Sequence, residues 1–186
     1  MKEGNGPRHR LLETASKLFY EQGYSATGIN QILEEAGVAK ASLYQHFGSK
    51  EELGLAYLQA QRESWFAALE AFAGRHETPA EQVLACFDFL EKGLQAHAFR
   101  GCRFINILNQ IPEDELRLRG EVVAHKTKLH AFIKKRVLAA RKGDGQAADT
   151  ANTVYLLFEG AAVEARIFRQ SWPVKAARRA AAALLG

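Results

Sequence analysis

Apolar residues recur along this chain at the spacing of one helix face, and the alternation typical of a strand is hard to find. Leu11, Ala15, Leu18 and Phe19 occupy positions i, i+4, i+7 and i+8, which fall on one stripe of a helix. Residues 29–36 repeat this pattern. Only four prolines interrupt the chain, and alanine and leucine are abundant. The pattern therefore predicts an all-α protein of about nine helices.

Glycines and capping residues set the predicted helix boundaries near the amino terminus. A first helix is expected over residues 8–21, with Gly23 allowing a left-handed turn after it. Thr27 is expected to N-cap the second helix, because its hydroxyl can accept a hydrogen bond from a free backbone N–H. Gly37 would end that helix, and a short third helix over residues 40–46 follows. Two short helices joined by a tight turn with glycine are typical of the helix-turn-helix arrangement.

The rest of the chain is predicted to form longer helices. Ser49 and Glu52 have the spacing of a capping box, as do Thr78 and Glu81, and each pair would begin a helix. The expected helices reach from there to about residue 72 and about residue 99, and then cover residues 104–109, 113–141, 147–169 and 174–185. The predicted domains are a helix-turn-helix head over residues 1–53 and a helical body over residues 54–186.

Composition and charge limit where the protein is expected to act and what it is expected to bind. The amino terminus lacks the apolar core of a signal peptide, and no run approaches the ~20 apolar residues that span a bilayer. We therefore expect a cytosolic protein without a membrane partner. The net charge of +4 weakly favours a polyanionic partner. Residues 1–54 carry six Lys or Arg and seven Asp or Glu, so charge alone would place nucleic acid at the other end of the chain. We interpret the carboxy-terminal charges as solvated surface.

The segment GVAKASLYQHFGSKEEL, residues 37–53, crowds hydroxyl, imidazole and ammonium groups around the short third helix. If this helix enters the major groove of DNA, its first residues face base edges, where lysine suits guanine and glutamine suits adenine. The side chains expected at base edges are Lys40, Ala41, Ser42 and Gln45, and those expected near phosphates are Thr27, Tyr44, His46 and Lys50. Any one of them could be an ordinary packing or surface residue. Their joint spacing favours the DNA-binding interpretation.

The segment TGINQILEEAGVAKASLYQHFGSKEEL, residues 27–53, resembles the DNA-binding signature of TetR-family transcriptional regulators. The resemblance implies a homodimer of all-helical subunits that binds double-stranded DNA through its first three helices and a small-molecule effector through its body. By the family's pattern, Thr27, Ser42, Tyr44, His46 and Lys50 fall on phosphate-contacting positions, and Lys40, Ala41 and Gln45 on base-facing ones. Many members have a basic residue where this chain has Asn30 and a glycine where it has Ala41. Asn30 could still reach a base or a phosphate.

Aromatic and aliphatic residues on several body helices could line a pocket for a small, largely apolar effector, although each one taken alone is better explained as core. They are Trp65, Phe66, Phe87, Leu90, Phe104, Leu108, Phe132, Tyr155 and Phe158. The last two helices are the expected homodimer interface. Alanines between residues 148 and 165 allow helices to approach closely, and the residues that supply apolar area are Leu156, Leu157, Ile167, Leu184 and Leu185. Two such helix pairs would form a four-helix bundle around a two-fold axis.

Cys102 follows a glycine and lies between Arg100 and Arg103, whose charges would stabilise a reactive thiolate. Its position also resembles that in a subgroup of TetR-like repressors that includes sensors of electrophiles or oxidants. The alternative is an inert, small apolar residue. The histidines lack paired metal-ligand spacing and no catalytic arrangement stands out, so we expect no metal, no cofactor and no catalysis. The alternatives to a DNA-binding regulator are a cysteine-based redox enzyme and a small-molecule carrier on a helical scaffold.

Overall fold

The structure, a computed structural model, describes residues 6–186, so the first five residues of the predicted head lie outside it. Over this range the chain forms nine α-helices and no strand, which confirms the all-α prediction. The helices are α1 (Pro7–Glu21), α2 (Ile29–Ala36), α3 (Lys40–His46), α4 (Lys50–Ala73), α5 (Pro79–Ala96), α6 (Arg103–Leu108), α7 (Leu116–Ala140), α8 (Ala147–Phe168) and α9 (Trp172–Leu185). None of the helices within residues 6–186 combines the length and the apolar character needed to cross a lipid bilayer.

The chain folds into two compact units that differ from the predicted division after residue 53. The first unit comprises the chain up to Glu63 together with Arg103–Ala124. The second comprises Ser64–Cys102 and His125–Gly186. The division differs because α1, α2 and α3 are too short to enclose their own apolar side chains. The first turns of α4, all of α6 and the start of α7 complete that core, with Tyr57, Ile107 and Leu118 fully buried.

Local signals begin and end several helices where the sequence predicts. Gly37 adopts a left-handed conformation with φ of 60° and ends α2. At α5 the predicted capping box forms, since the Thr78 hydroxyl accepts a hydrogen bond from the Glu81 N–H and the Glu81 carboxylate accepts one from the Thr78 N–H. At α4 the Ser49 hydroxyl accepts from the Glu52 N–H, but the Glu52 carboxylate binds Arg117.

The second unit has an apolar core built from the end of α4 and from α5, α7, α8 and α9. Ala151, Ala161 and Ala165 are buried in this core, and α8 packs closely along α9. Three of the alanines expected to bring two subunits together are therefore buried in the core of one chain, whereas Ala148 is exposed.

Candidate nucleic-acid interface

Helix α3 has one buried side and one solvent-exposed side. Leu43 and Phe47 point into the core of the first unit, with relative exposures of 0% and 7%. The exposed residues are Lys40, Ala41, Tyr44, Gln45 and His46, and Ser42 is half-buried between the two sides. Tyr44 leaves 48% of its surface exposed although it lies in a well-packed unit. We refer to this exposed side of α3 as the recognition face.

Lys50, at the start of α4, is held against an aromatic ring. Its Nζ atom lies 4.5 Å from the ring centroid of Tyr24, a cation–π distance. Burial lowers the pKa of Lys50. Burial, helped by the nearby Glu115 and Glu51 carboxylates, raises the pKa of Tyr24 to about 12, so the phenol stays neutral. The ring limits the positions available to the ammonium group next to the recognition face.

Acidic residues beside Lys50 are partly neutralised within the first unit. The Arg117 guanidinium hydrogen-bonds the Glu52 carboxylate and lies 3.9 Å from a Glu51 carboxylate oxygen. The hydrogen bond from Arg117 lowers the pKa of Glu52. Because Arg117 is far away in the sequence, the negative balance of the amino-terminal residues overstates the acidity of this surface.

Two sequence predictions for Thr27 are wrong. Gly28, not Thr27, occupies the N-cap position of α2, and no side chain caps that helix. Thr27 is fully buried, and its hydroxyl donates to the Gly23 carbonyl oxygen at 2.6 Å and accepts from the Gln22 side chain at 3.2 Å. The hydroxyl reaches back along the chain rather than forward into α2. Its hydrogen-bonding capacity is used inside the turn, so it is not available to a phosphate.

The turn between α1 and α2 is also held by Gln110, which sequence reasoning missed. The Ser25 backbone N–H donates to Gln110 Oε1 at 3.1 Å, and the Ser25 hydroxyl donates to the Gln110 carbonyl oxygen at 2.7 Å. Gly23 in this turn has φ of 103°, and a Cβ atom at this position would lie 2.6 Å from Gln110 Oε1. No local pattern reveals the contact, because 85 residues separate Gln110 from Ser25. Asn30 follows this turn and is exposed on the first turn of α2.

The residues predicted to line an effector pocket fall into both compact units. Phe104 and Leu108, on α6, belong to the first unit. The other seven belong to the core of the second: Phe66, Phe87, Phe132 and Phe158 are buried, and Trp65, Leu90 and Tyr155 are partly buried against them. The ring centroids of Phe87 and Phe158 are 5.6 Å apart, and those of Phe66 and Phe132 are 6.4 Å apart. The four buried rings are therefore core residues, which is the alternative to a pocket lining.

Cys102 has a cationic neighbour that the sequence did not predict. Its Sγ atom lies 3.8 Å from Lys126 Nζ, and the same ammonium group pairs with the Glu159 carboxylate. Burial alone would lower the pKa of Lys126, but attraction to Cys102 and Glu159 outweighs burial and the pKa is raised. Lys126 therefore stays charged beside the thiol. Arg103, one of the two arginines expected to act on the thiol, stacks over the Tyr20 ring at 3.5 Å.

Cys86 is a buried thiol of the ordinary kind. Burial raises its pKa to about 12, which keeps it protonated and unreactive. Within residues 6–186, no three His, Cys, Asp or Glu side chains come together as a group that could hold a metal ion.

Comparison with known proteins relates this chain to bacterial regulators. The model for bacterial regulatory proteins of the tetR family matches residues 11–57, which run from α1 into α4. The HTH-type transcriptional activator FasR of Mycolicibacterium smegmatis is 39% identical over 119 residues, covering 62% of this chain and 52% of FasR. The HTH-type transcriptional repressor NemR of Escherichia coli strain K12 is 24% identical over 175 residues, covering 90% of this chain and 88% of NemR. Five curated relatives, FasR among them, are matched over 26% to 54% of their length, so the chain spans about half their length or less.

Solved structures extend the likeness to the whole fold. A TetR-family transcriptional regulator from Streptomyces coelicolor superposes with a TM-score of 0.88 at 28% identity, over 96% of this chain and 94% of that one. The reduced form of E. coli NemR superposes with a TM-score of 0.79 at 23% identity, over 95% of each chain, which shows a shared fold. The family model lies on the helices that present the recognition face, and the likeness in fold to the Streptomyces coelicolor regulator covers 96% of this chain. Residues 11–57 of this chain thus match the DNA-binding region of the tetR family, and the fold as a whole is similar to that of TetR-family regulators.

Proposed function

We propose that this protein is a ligand- or redox-responsive transcriptional regulator, a repressor that binds a palindromic DNA operator as a homodimer in the bacterial cytoplasm. DNA contacts lie in residues 1–53, and the effector and dimer contacts lie in residues 54–186. The observation that carries the proposal is the recognition face, where Tyr44 is 48% exposed among polar side chains on a helix whose other side is core. The Tyr44 hydroxyl and the polar side chains around it are thereby placed where they can donate hydrogen bonds to phosphates and base edges.

The recognition face has the chemistry of a major-groove reader. Lys40 can contact guanine, Gln45 can contact adenine, and Ala41 leaves room for close approach of the helix. The groups that contact phosphates are the Ser42 and Tyr44 hydroxyls, the His46 ring N–H and the Lys50 ammonium group. Asn30, exposed on the first turn of α2, adds an amide that reaches a base or a phosphate.

DNA binding is tested on duplexes of about 30 base pairs, long enough for two half-sites one turn or more apart, that the wild-type protein selects from a random pool. We expect the logarithm of the association constant to fall linearly with the logarithm of salt concentration. Lys50→Ala should weaken binding to all sequences alike, whereas Lys40→Ala should relax sequence preference. Lys92→Ala, on α5 of the second unit, is the matched lysine control. Binding that is insensitive to salt would refute the proposal.

The homodimer uses an apolar stripe on α8. Leu156, Val163 and Ile167 are 65%, 46% and 64% exposed and lie at i, i+7 and i+11, on one face of the helix. Exposed apolar groups arranged in this way indicate a protein–protein interface. Ile167→Glu should convert the dimer to a folded monomer in sedimentation equilibrium. Val123→Glu, a change at a 57% exposed residue of the first unit, should leave the dimer intact. A wild-type monomer at micromolar concentration would contradict this part of the proposal.

The effector acts on the second unit, either among Trp65, Tyr155 and the neighbouring aromatic residues or by reaction at Cys102. Linkage requires that an effector which weakens operator binding about 5- to 150-fold is itself bound more weakly by the same factor when DNA is present. A Cys102 response is supported by Lys126, whose charged ammonium group lies 3.8 Å from the Cys102 Sγ atom. Stoichiometric hydrogen peroxide should release wild-type protein from its selected duplex and leave Cys102→Ser bound. Release of both proteins alike would remove Cys102 from the mechanism.

A further inference from the structure

We propose that Arg8, on the first turn of α1, is a phosphate contact of the DNA interface; this inference rests on the proposed DNA binding. The Arg8 guanidinium lies 5.2 Å from the ring centroid of Phe47. Phe47 occupies the C-cap position of α3, directly after His46 and three residues before Lys50. The first turn of α1 thus places a fixed positive charge at the edge of the recognition face.

The Arg8 side chain is exposed, and its N–H groups are available to a ligand. Within residues 6–186 the guanidinium makes no ion pair or hydrogen bond, and its described contact is the Phe47 ring. A guanidinium that lies over a ring still presents its in-plane N–H donors at its edge, which is the geometry that phosphate oxygens accept.

Its neighbour Arg10 is used differently. The Arg10 Nη2 atom donates to the Gly37 carbonyl oxygen at 3.4 Å, at the end of α2. Arg10 thus binds the turn before α3, and Arg8 lies over the residue after α3. Arg10 has a role within the fold, whereas the charge of Arg8 has no partner among the described residues. These contacts separate a positioning arginine from one that is free to bind DNA.

The shortage of positive charge in the amino-terminal region supports a DNA-binding role for Arg8. Residues 6–53 carry five Lys or Arg against six Asp or Glu, although this region forms the DNA-facing helices. Asn30 supplies no charge. A duplex carries closely spaced phosphates, and each cation that neutralises one of them releases counterions and strengthens binding. An exposed arginine over Phe47, the residue that ends α3, compensates for part of this deficit, and a DNA backbone phosphate is the ligand that its position favours.

The test measures the salt dependence of binding to the selected duplex by fluorescence anisotropy. Removing one phosphate contact per subunit should lower the slope of log affinity against log salt by about 1.8 per dimer, which corresponds to about 60-fold weaker binding at about 0.1 M salt and about 9-fold at about 0.3 M. We expect this loss in Arg8→Ala and in Arg8→Met. Methionine still covers the Phe47 ring, so it separates the loss of charge from the loss of packing. Arg8→Lys keeps the wild-type slope.

The matched control is Arg75→Ala in the second unit. Arg75 also lies over a phenylalanine ring, that of Phe72, at 5.8 Å. It should bind DNA with the wild-type slope. Wild-type slopes in both Arg8→Ala and Arg8→Met, in a wild-type protein that binds DNA, would overturn the Arg8 contact alone. A wild-type protein that binds no duplex would overturn the proposed function as well.

Discussion

Substituting alanine for Gly23 tests how the turn between α1 and α2 is held. The backbone at this position has φ of 103°, and a Cβ atom would lie 2.6 Å from Gln110 Oε1. Alanine therefore meets two separate obstacles, a strained backbone and a side chain that must move. The Gln110 side chain accepts the Ser25 N–H at 3.1 Å, so its displacement also breaks that hydrogen bond.

The expected loss of stability follows from these two terms. A side chain in this backbone region costs about 1–3 kcal/mol. The broken hydrogen bond adds about 0.5–1.5 kcal/mol. Gly23→Ala should therefore lower the free energy of unfolding by about 2–4 kcal/mol in urea denaturation. Gly28→Ala is the matched control, because Gly28 has φ of −82° and open space around it, and it should cost under about 1 kcal/mol.

A double-mutant cycle separates the collision from the backbone strain. In a Gln110→Ala background, alanine at position 23 no longer meets Oε1, so Gly23→Ala should cost about 1 kcal/mol less than in the wild-type protein. The strain term should remain in both backgrounds. If the two single-variant costs add within about 0.5 kcal/mol, the reasoning that Gln110 fills the space above Gly23 is refuted.

Three further predictions concern single interactions. The raised pKa of Tyr24, about 12, stabilises the fold at pH values where its phenol is neutral, and this contribution fades as pH rises above 10. Wild-type protein should lose about 1 kcal/mol more than Tyr24→Phe between about pH 9 and pH 11 in urea denaturation, and equal losses would contradict this. Lys126→Met leaves the Glu159 carboxylate without its cation and should lower the free energy of unfolding by about 2 kcal/mol. Adding Glu159→Leu should recover most of this loss, and a double variant as unstable as the single one would argue against the pair. Thr78→Ala removes one side of the capping box and should lower stability by about 1 kcal/mol, with Thr78→Ser near wild type, as thermal unfolding can check.

Features set by neighbours in the sequence could be predicted well. The spacing of Leu43 and Phe47 on the same helix face fixes which side of α3 is buried, and the structure leaves Lys40, Tyr44 and Gln45 exposed. The ends of α2 and α5 follow from Gly37 and from the Thr78 capping box, because both act over a few residues. The helix order follows from the same local signals.

Features that depend on distant residues could not be predicted. From the sequence alone, the Thr27 hydroxyl could bond either to a backbone N–H of α2 or to the Gly23 carbonyl oxygen. The shape of the turn, which Gln110 helps to set, favours the Gly23 carbonyl oxygen. Likewise, the cation beside Cys102 is Lys126 on another helix, whereas the sequence offers only the adjacent arginines. Both features depend on distances between residues that are far apart in the sequence, and the spacing of apolar residues does not give those distances.

The assignment of residues 103–124 to the same unit as α1, α2 and α3 bears on how proteins of this fold can be recombined. At Gly54 a Cβ atom would lie 2.9 Å from the Tyr24 ring and 3.3 Å from Leu118, so the amino-terminal helices are shaped around a segment encoded much later. A chimaera that exchanges only the first 53 residues between relatives would join one protein's amino-terminal helices to another protein's supporting segment. Exchanging residues 103–124 along with the head keeps these fitted surfaces together.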